Sequence, residues 1–277
     1  MYKMALLDID GTLVNSRGNL SIRTIDTIHK IQKNGIITAL CTGRNIPKML
    51  PIAKKLNITV PVACIDGTFL FDPVSCVISN DLYLSEKEVT EILSCGIHLD
   101  AFIEINNGYQ YYKYIKNKSL YRFDLYNKHT IFGRMKSFLG NVRYPKSIDF
   151  VYKVPGNIYQ VVFAAEKEVI EQIHENILNL CLKNIEIRDS IIDGFLFVNR
   201  KGIKKSRGMN LLCQQYSVHP QEVLAIGDEN NDIDMLESAG IGIAMGNASS
   251  FVKSFADDIT LTNEEDGAAI TLEKYFL

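Results

Sequence analysis

A chain of 277 residues with 47% hydrophobic and 22% charged residues has the make-up of a globular protein, which excludes disorder and a fibrous repeat. It has room for one large apolar core or two modest ones. The formal net charge of −2 supplies no global attraction to nucleic acid or to an anionic membrane, and the cysteines and histidines fall in neither a CxxC nor an HExxH spacing. Any metal centre must therefore be built from oxygen.

The N-terminal part alternates. Met4 to Leu7 reads as a buried strand, and Ile22, Ile25, Ile28 and Ile31 line one face of a helix that Ser21 caps and Gly35 ends. Ile36 to Cys41, Pro47 to Asn57 and Val62 to Ile65 follow as strand, helix and strand, a βαβαβ opening that implies a parallel sheet. Thr68 to Phe71 and Val77 to Ser79 then form a hairpin about Asp72-Pro73, with Asp81 to Leu84 as a linker.

The middle of the chain is mixed. Ser85 and Glu88 make a capping box, Ala101 to Ile105 pairs with Tyr109 to Tyr112, and Gln160 to Ala164, Glu168 to Leu182 and Ile185 to Asp189 read as strand, helix and strand. Alternation then resumes: strand Leu196 to Asn199, helix Lys205 to Gln215, strand Val223 to Ile226, helix Ile233 to Ser238 and strand Ile241 to Ala244. The expected fold class is α/β: a doubly wound, Rossmann-like parallel-sheet core made by residues 1–81 and 189–277, with residues 82–188 inserted as an α+β cap. No apolar run reaches the roughly 18 to 20 residues that span a bilayer, and Met1 to Asp10 run into a strand with carboxylates instead of a signal peptide, so a cytoplasmic location is expected.

Open parallel sheets bind ligands beyond the carboxyl ends of their strands, and polar residues cluster there in this chain. Asp8 and Asp10 follow the first strand in Asp8-Ile9-Asp10-Gly11-Thr12-Leu13. Thr42-Gly43-Arg44 follows the second, and Gly227-Asp228-Glu229-Asn230-Asn231-Asp232 follows Val223 to Ile226. Carboxylates gathered beside apolar strands repel one another unless a cation neutralises them. Magnesium, which takes oxygen ligands and is held by one or two carboxylates together with phosphate, suits a site supplied by Asp8 and Asp228. Taken singly, each motif has an ordinary explanation: an isolated DxD is a solvated turn, Thr42-Gly43 a strand-to-helix turn, Lys205 a solvated helix-start lysine, and Arg44 half of a surface ion pair.

Together and in this order, DIDGTL, TGR, a lysine near position 205 and GDENND resemble the haloacid dehalogenase superfamily, and within it the Cof-like phosphatases of sugars and cofactors. The resemblance covers essentially the whole chain. It implies that Asp8 is a nucleophile that becomes an aspartyl phosphate, and that Asp10 is the acid for the leaving alcohol and then the base for water. It further implies magnesium bound by Asp8, Asp228 and the carbonyl of Asp10, phosphate held by Thr42, the Gly43 amide, Arg44 and Asn231, and neutralisation by Lys205. Thr12 and Asp232 are implied as supports behind these groups. An aspartate at position 10 favours phosphate-ester hydrolysis over dehalogenation.

The sequence departs from the family pattern in three places. The lysine motif reads Lys204-Lys205-Ser206, where spacing favours Lys205 and leaves Lys204 open. Phe197 stands where an acidic residue is common, and Asp66-Gly67 where asparagine-glycine is. Between Tyr109 and Lys146, Lys113, Lys116, Lys118, Arg122, Lys128, Arg134, Lys136, Arg143 and Lys146 face Asp124 alone, which fits either anion steering or an ordinary basic sheet face. The expected partner is a small phosphorylated metabolite, with no nucleic acid and no membrane, for a monomer or weak homodimer. A phosphomutase-like transferase and a catalytically silent phosphate-binding protein are the alternatives.

Overall fold

A computed structural model describes residues 2–123, 142–145, 147–190 and 194–277. Along the chain the first elements are β1 (Met4–Leu7), α1 (Ile22–Lys33), β2 (Ile37–Leu40), α2 (Ile46–Lys55), β3 (Val62–Cys64), β4 (Phe69–Phe71) and β5 (Ile78–Ser79). The next are α3 (Glu86–Ser94), β6 (Phe102–Asn106), β7 (Tyr111–Ile115), β8 (Val142–Arg143), β9 (Gln160–Ala164), α4 (Lys167–Asn179), β10 (Ile185–Ser190) and β11 (Phe195–Arg200). The last are α5 (Lys205–Tyr216), β12 (Val223–Gly227), α6 (Ile233–Ser238), β13 (Ile241–Ala244), α7 (Ser250–Lys253), β14 (Asp258–Ile259) and α8 (Gly267–Phe276). They form two compact units, Met1–Asp81 with Ile203–Leu277, and Leu82–Gly202.

The first unit is built on a parallel sheet of order β14-β13-β12-β1-β2. Every side chain of β1 is buried, which is why Met4-Ala5-Leu6-Leu7 is unbroken by polar residues: a central parallel strand is covered on both faces. Met4 and Leu6 pack with Ala39, Cys41, Val223 and Ala225 against Met209 and Leu212 of α5 and Met235 and Leu236 of α6. The alternate side chains Ala5, Leu7, Leu40, Leu224 and Ile226 are buried as well, and α1 packs on β2 and α8. Burying one leucine or isoleucine in this way contributes about 1.5–3 kcal/mol. Ser21 starts α1 by accepting a hydrogen bond from the Thr24 amide.

β3 meets the main sheet through one parallel bridge, Cys41 to Ala63, and otherwise forms an antiparallel three-stranded sheet with β4 and β5. The turn responsible has three consecutive residues at positive φ, Ile65, Asp66 and Gly67. For a β-branched isoleucine that conformation is strained by about 1–3 kcal/mol. Hydrogen bonds from the Ile65 amide to Arg44 O and from the Asp66 amide to Thr42 O hold it.

The second unit is a six-stranded sheet of order β10-β11-β9-β6-β7-β8, antiparallel except between β7 and β8. Ile92, Leu93, Ile170, Ile173 and Ile177 of α3 and α4 cover one face by packing on Ile103, Ile105, Val161, Phe163, Leu196 and Val198. The Ser85–Glu88 capping box forms as expected. One expectation is corrected: a boundary between residues 188 and 189 cuts through β10, and the strand assigned to the core, Leu196 to Asn199, lies in this sheet. Its antiparallel ladders with β10 and β9 carry the inserted unit to Gly202. The apolar pattern of a single strand does not reveal which sheet it joins.

Candidate active site

The parallel register places Leu7 opposite Leu40 on one side and Ile226 on the other. Asp8, Thr42 and Asp228 therefore follow adjacent strand ends. The Asp8 amide donates to Ile226 O, and the Cys41 amide donates to Leu7 O, which fixes these segments to the sheet.

Lys205 opens α5 and is buried, with 1% of its surface exposed. Its Nζ donates to Oδ1 of Asp8 and to Oδ1 of Asp232, each at 2.6 Å. Lys204 caps the same helix and is exposed, so Lys205 is the lysine at the carboxylates. Asp232 is fully buried, and its other oxygen accepts the Asp228 and Glu229 amides at 3.0 and 2.9 Å. Both its oxygens are thus engaged in orienting the lysine and the loop.

Asp228 receives the Thr12 hydroxyl at 2.9 Å on Oδ1 and the Asn247 side-chain amide at 3.2 Å on Oδ2. Gly11 has φ +73°, and a Cβ there would lie 2.1 Å from Asp228 Oδ2, so this approach requires glycine. Asp10 points elsewhere. Its side chain is 63% exposed and gripped by both Nε and a terminal nitrogen of Arg44, at 2.7 and 2.6 Å. Partial burial would raise its pKa, but the Arg44 fork outweighs that and holds the carboxyl below the usual range. The remaining Arg44 amino group donates to Lys48 O, so the structure places this guanidinium on Asp10 and the backbone.

Thr42 is buried, and its Oγ1 accepts the Arg44 amide at 3.2 Å, leaving the hydroxyl hydrogen for another acceptor. Gly43 is exposed beside it. Asp66 stands next to Gly43 and accepts a hydrogen bond from Asn231 Nδ2 at 2.8 Å. Neither Asp66, a departure from the family pattern, nor Asn247 was expected to touch the other site residues.

Among the described residues, the carboxylates of Asp8, Asp228 and Asp232 form a group whose oxygens lie within 4.8 Å of one another. One ammonium among three carboxylates leaves two negative charges unbalanced. Burial disfavours the ionised carboxylates further, and the neighbouring carboxylates add a smaller push in the same direction. Burial pushes the Asp8 carboxyl well up against the pull of Lys205, and burial takes Asp228 to about 7. Desolvation works against the Lys205 ammonium, but Asp8 and Asp232 overcome it and raise its pKa well above the ordinary lysine value. A buried, oxygen-only cluster that is doubly negative when ionised fits a hard divalent cation such as magnesium, which Asp8 and Asp228 could hold.

The family model for haloacid dehalogenase-like hydrolases matches residues 5–272. The chain belongs to this family of hydrolases. It is 30% identical to a putative phosphatase of Haemophilus influenzae over all of this chain and 99% of that one. It is 26% identical to a 5-amino-6-(5-phospho-D-ribitylamino)uracil phosphatase of Bacillus subtilis, covering 98% of this chain and 96% of the other. The crystal structure of a haloacid dehalogenase-like hydrolase from Bacteroides thetaiotaomicron superposes with a TM-score of 0.84 at 27% identity, over the whole of both chains.

In the inserted unit of this haloacid dehalogenase-like hydrolase, the basic stretch is partly neutralised by residues outside it. Lys113 is buried against Glu104, Arg122 pairs with Glu166, and Lys116 donates to His98 O. Asp124, Lys128, Arg134, Lys136 and Lys146 lie outside the described residues. No helix among the described residues is long and apolar enough to cross a membrane.

Proposed function

We propose that this hydrolase is a magnesium-dependent phosphatase of small phosphate monoesters, sugar phosphates or phosphorylated cofactors, acting through an aspartyl phosphate on Asp8. One observation carries the reading. Lys205 binds Asp8 through Oδ1, while Oδ2 accepts no hydrogen bond from any described residue. A buried carboxylate with one oxygen anchored and the other free is oriented for nucleophilic attack.

Attack by Asp8 forms an oxygen–phosphorus bond and breaks the ester bond, so the departing alkoxide needs a proton. Asp10, two residues on, supplies it, and then removes a proton from the water that hydrolyses the acyl phosphate. The Arg44 fork keeps Asp10 ionised, so the acid role requires Asp10 to leave Arg44 and take up a proton. Thr42 Oγ1 and the Gly43 amide hold phosphate oxygens, and Lys205 balances charge on Asp8 and on the transferring group. A bound magnesium ion supplies further neutralisation of the phosphoryl charge.

A panel of phosphate monoesters that includes sugar phosphates, flavin mononucleotide, pyridoxal phosphate and 5-amino-6-(5-phospho-D-ribitylamino)uracil, scored by free phosphate with and without magnesium, tests the reading. Asp8→Asn should lower turnover by at least about 10⁴-fold with the fold intact, and acid-quenched enzyme should carry phosphate on the peptide containing Asp8. Parental turnover in that variant would remove Asp8 as nucleophile. Transfer to a second sugar hydroxyl without free phosphate would indicate a mutase.

A further inference from the structure

Asn247 follows β13 and is exposed, yet the protein uses every hydrogen-bonding position of its amide that the geometry resolves. Nδ2 donates to Gly11 O at 2.9 Å and to Asp228 Oδ2 at 3.2 Å, and Oδ1 accepts the Asn263 amide at 3.0 Å. Two acceptors on one side and a backbone donor on the other fix which way the amide faces. Asn263 in turn donates through Nδ2 to Val14 O at 2.9 Å, and Glu264 accepts the Ser16 amide at 2.6 Å. Residues 247 and 263–264 therefore hold the loop after β1 at three points.

We infer that Asn247 is a positioning residue for cation binding. It ties the carboxylate of Asp228 to the backbone of the Asp8–Thr12 loop and so fixes the spacing between the two segments that hold the cation. The inference rests on the functional reading above but not on turnover. Thr12, within that loop, binds Oδ1 of Asp228 directly, and among the described residues Asn247 is the second tie, bridging Oδ2 to Gly11 O. Without it, Asp228 keeps its charge and its Thr12 bond, but Oδ2 is no longer held to Gly11, and the carboxylate can turn about the one remaining anchor. Groups of this kind, one shell behind the ligands, typically alter metal affinity 10- to 100-fold.

The test is magnesium titration of thermal stability on the full chain, which reads binding without catalysis. Asn247→Ala should raise the magnesium concentration at half-maximal stabilisation by roughly 10-fold or more. Lys253→Ala, which removes a 2.6 Å hydrogen bond to Gly246 O in the same loop, should lower the metal-free melting temperature and leave the magnesium midpoint within about 2-fold of the parent. Should Asn247→Ala fail to fold, Asn247→Gln, which displaces the amide by one methylene, is read the same way. A folded Asn247 variant with the parental midpoint overturns the inference, as does an equal rise in Lys253→Ala, which would assign the effect to loop order. A parent protein with no magnesium response overturns the cation reading itself, an outcome distinct from either.

Discussion

The two units each bury a lysine, and they do so differently. Lys113 in β7 faces Glu104 directly across the ladder with β6, at 3.0 Å, with its ammonium 5.3 Å from the centre of the Phe102 ring. Partners nine residues apart in one hairpin form whenever that hairpin forms. Lys205 instead binds Asp8, 197 positions away, and Asp232, within a cluster that also contains Asp228. A locally matched pair is compatible with a structural purpose. An assembly that gathers excess charge from distant segments costs stability, and the parallel sheet retains it at the carboxyl ends of its central strands.

The largest effect should come from breaking the core cluster. Lys205→Met leaves two buried carboxylates without their cation, and we expect a loss of about 3–5 kcal/mol in metal-free urea unfolding, with turnover reduced on the order of 10³-fold. Equal urea midpoints for variant and parent would contradict the view that Lys205 holds the cluster together.

A pH experiment sharpens the same contrast. Burial raises Asp228 from 3.8 to about 7 in the folded protein, so between those values the native state binds more protons than the unfolded chain. Metal-free stability should accordingly fall as pH rises through that window. If magnesium binds Asp228 as proposed, it must displace the proton, so its stabilising shift should be larger at pH 8 than at pH 5.5. A shift independent of pH would place the cation away from Asp228.

The smallest effect belongs to the inserted unit. Lys113→Met should cost about 1–3 kcal/mol, because Glu104 loses a buried partner, with the rate constant for phosphate release unchanged. A selective loss of that rate constant would give Lys113 a part in the reaction.

Much of this was legible in the sequence because one rule, polar residues after apolar strand runs, located Asp8, Thr42 and Asp228. The same rule extended to the strand Ile241 to Ala244 points to Asn247, three residues beyond it, but a lone asparagine carries no motif. The acidic partners of Lys113 and Arg122 escaped the charge count because Glu104 and Glu166 lie outside the window from Tyr109 to Lys146 and reach it only through folding. The pairing of Asp10 with Arg44 is a side-chain choice between neighbouring loops, which strand and helix patterns do not encode. The end of the inserted unit was missed for a related reason: the β10–β11 ladder is a pairing, and periodicity describes one strand at a time.

The central position of β1 also orders events on the ribosome. Its neighbour β2 emerges within forty residues, but its other edge waits for Val223–Gly227, after the whole inserted unit has been made. Until then the nascent chain carries an apolar strand with one side unsatisfied, an exposure that invites aggregation and chaperone capture. That exposure lasts through synthesis of the contiguous inserted unit, so slower translation between residues 82 and 227 should lower the yield of native protein.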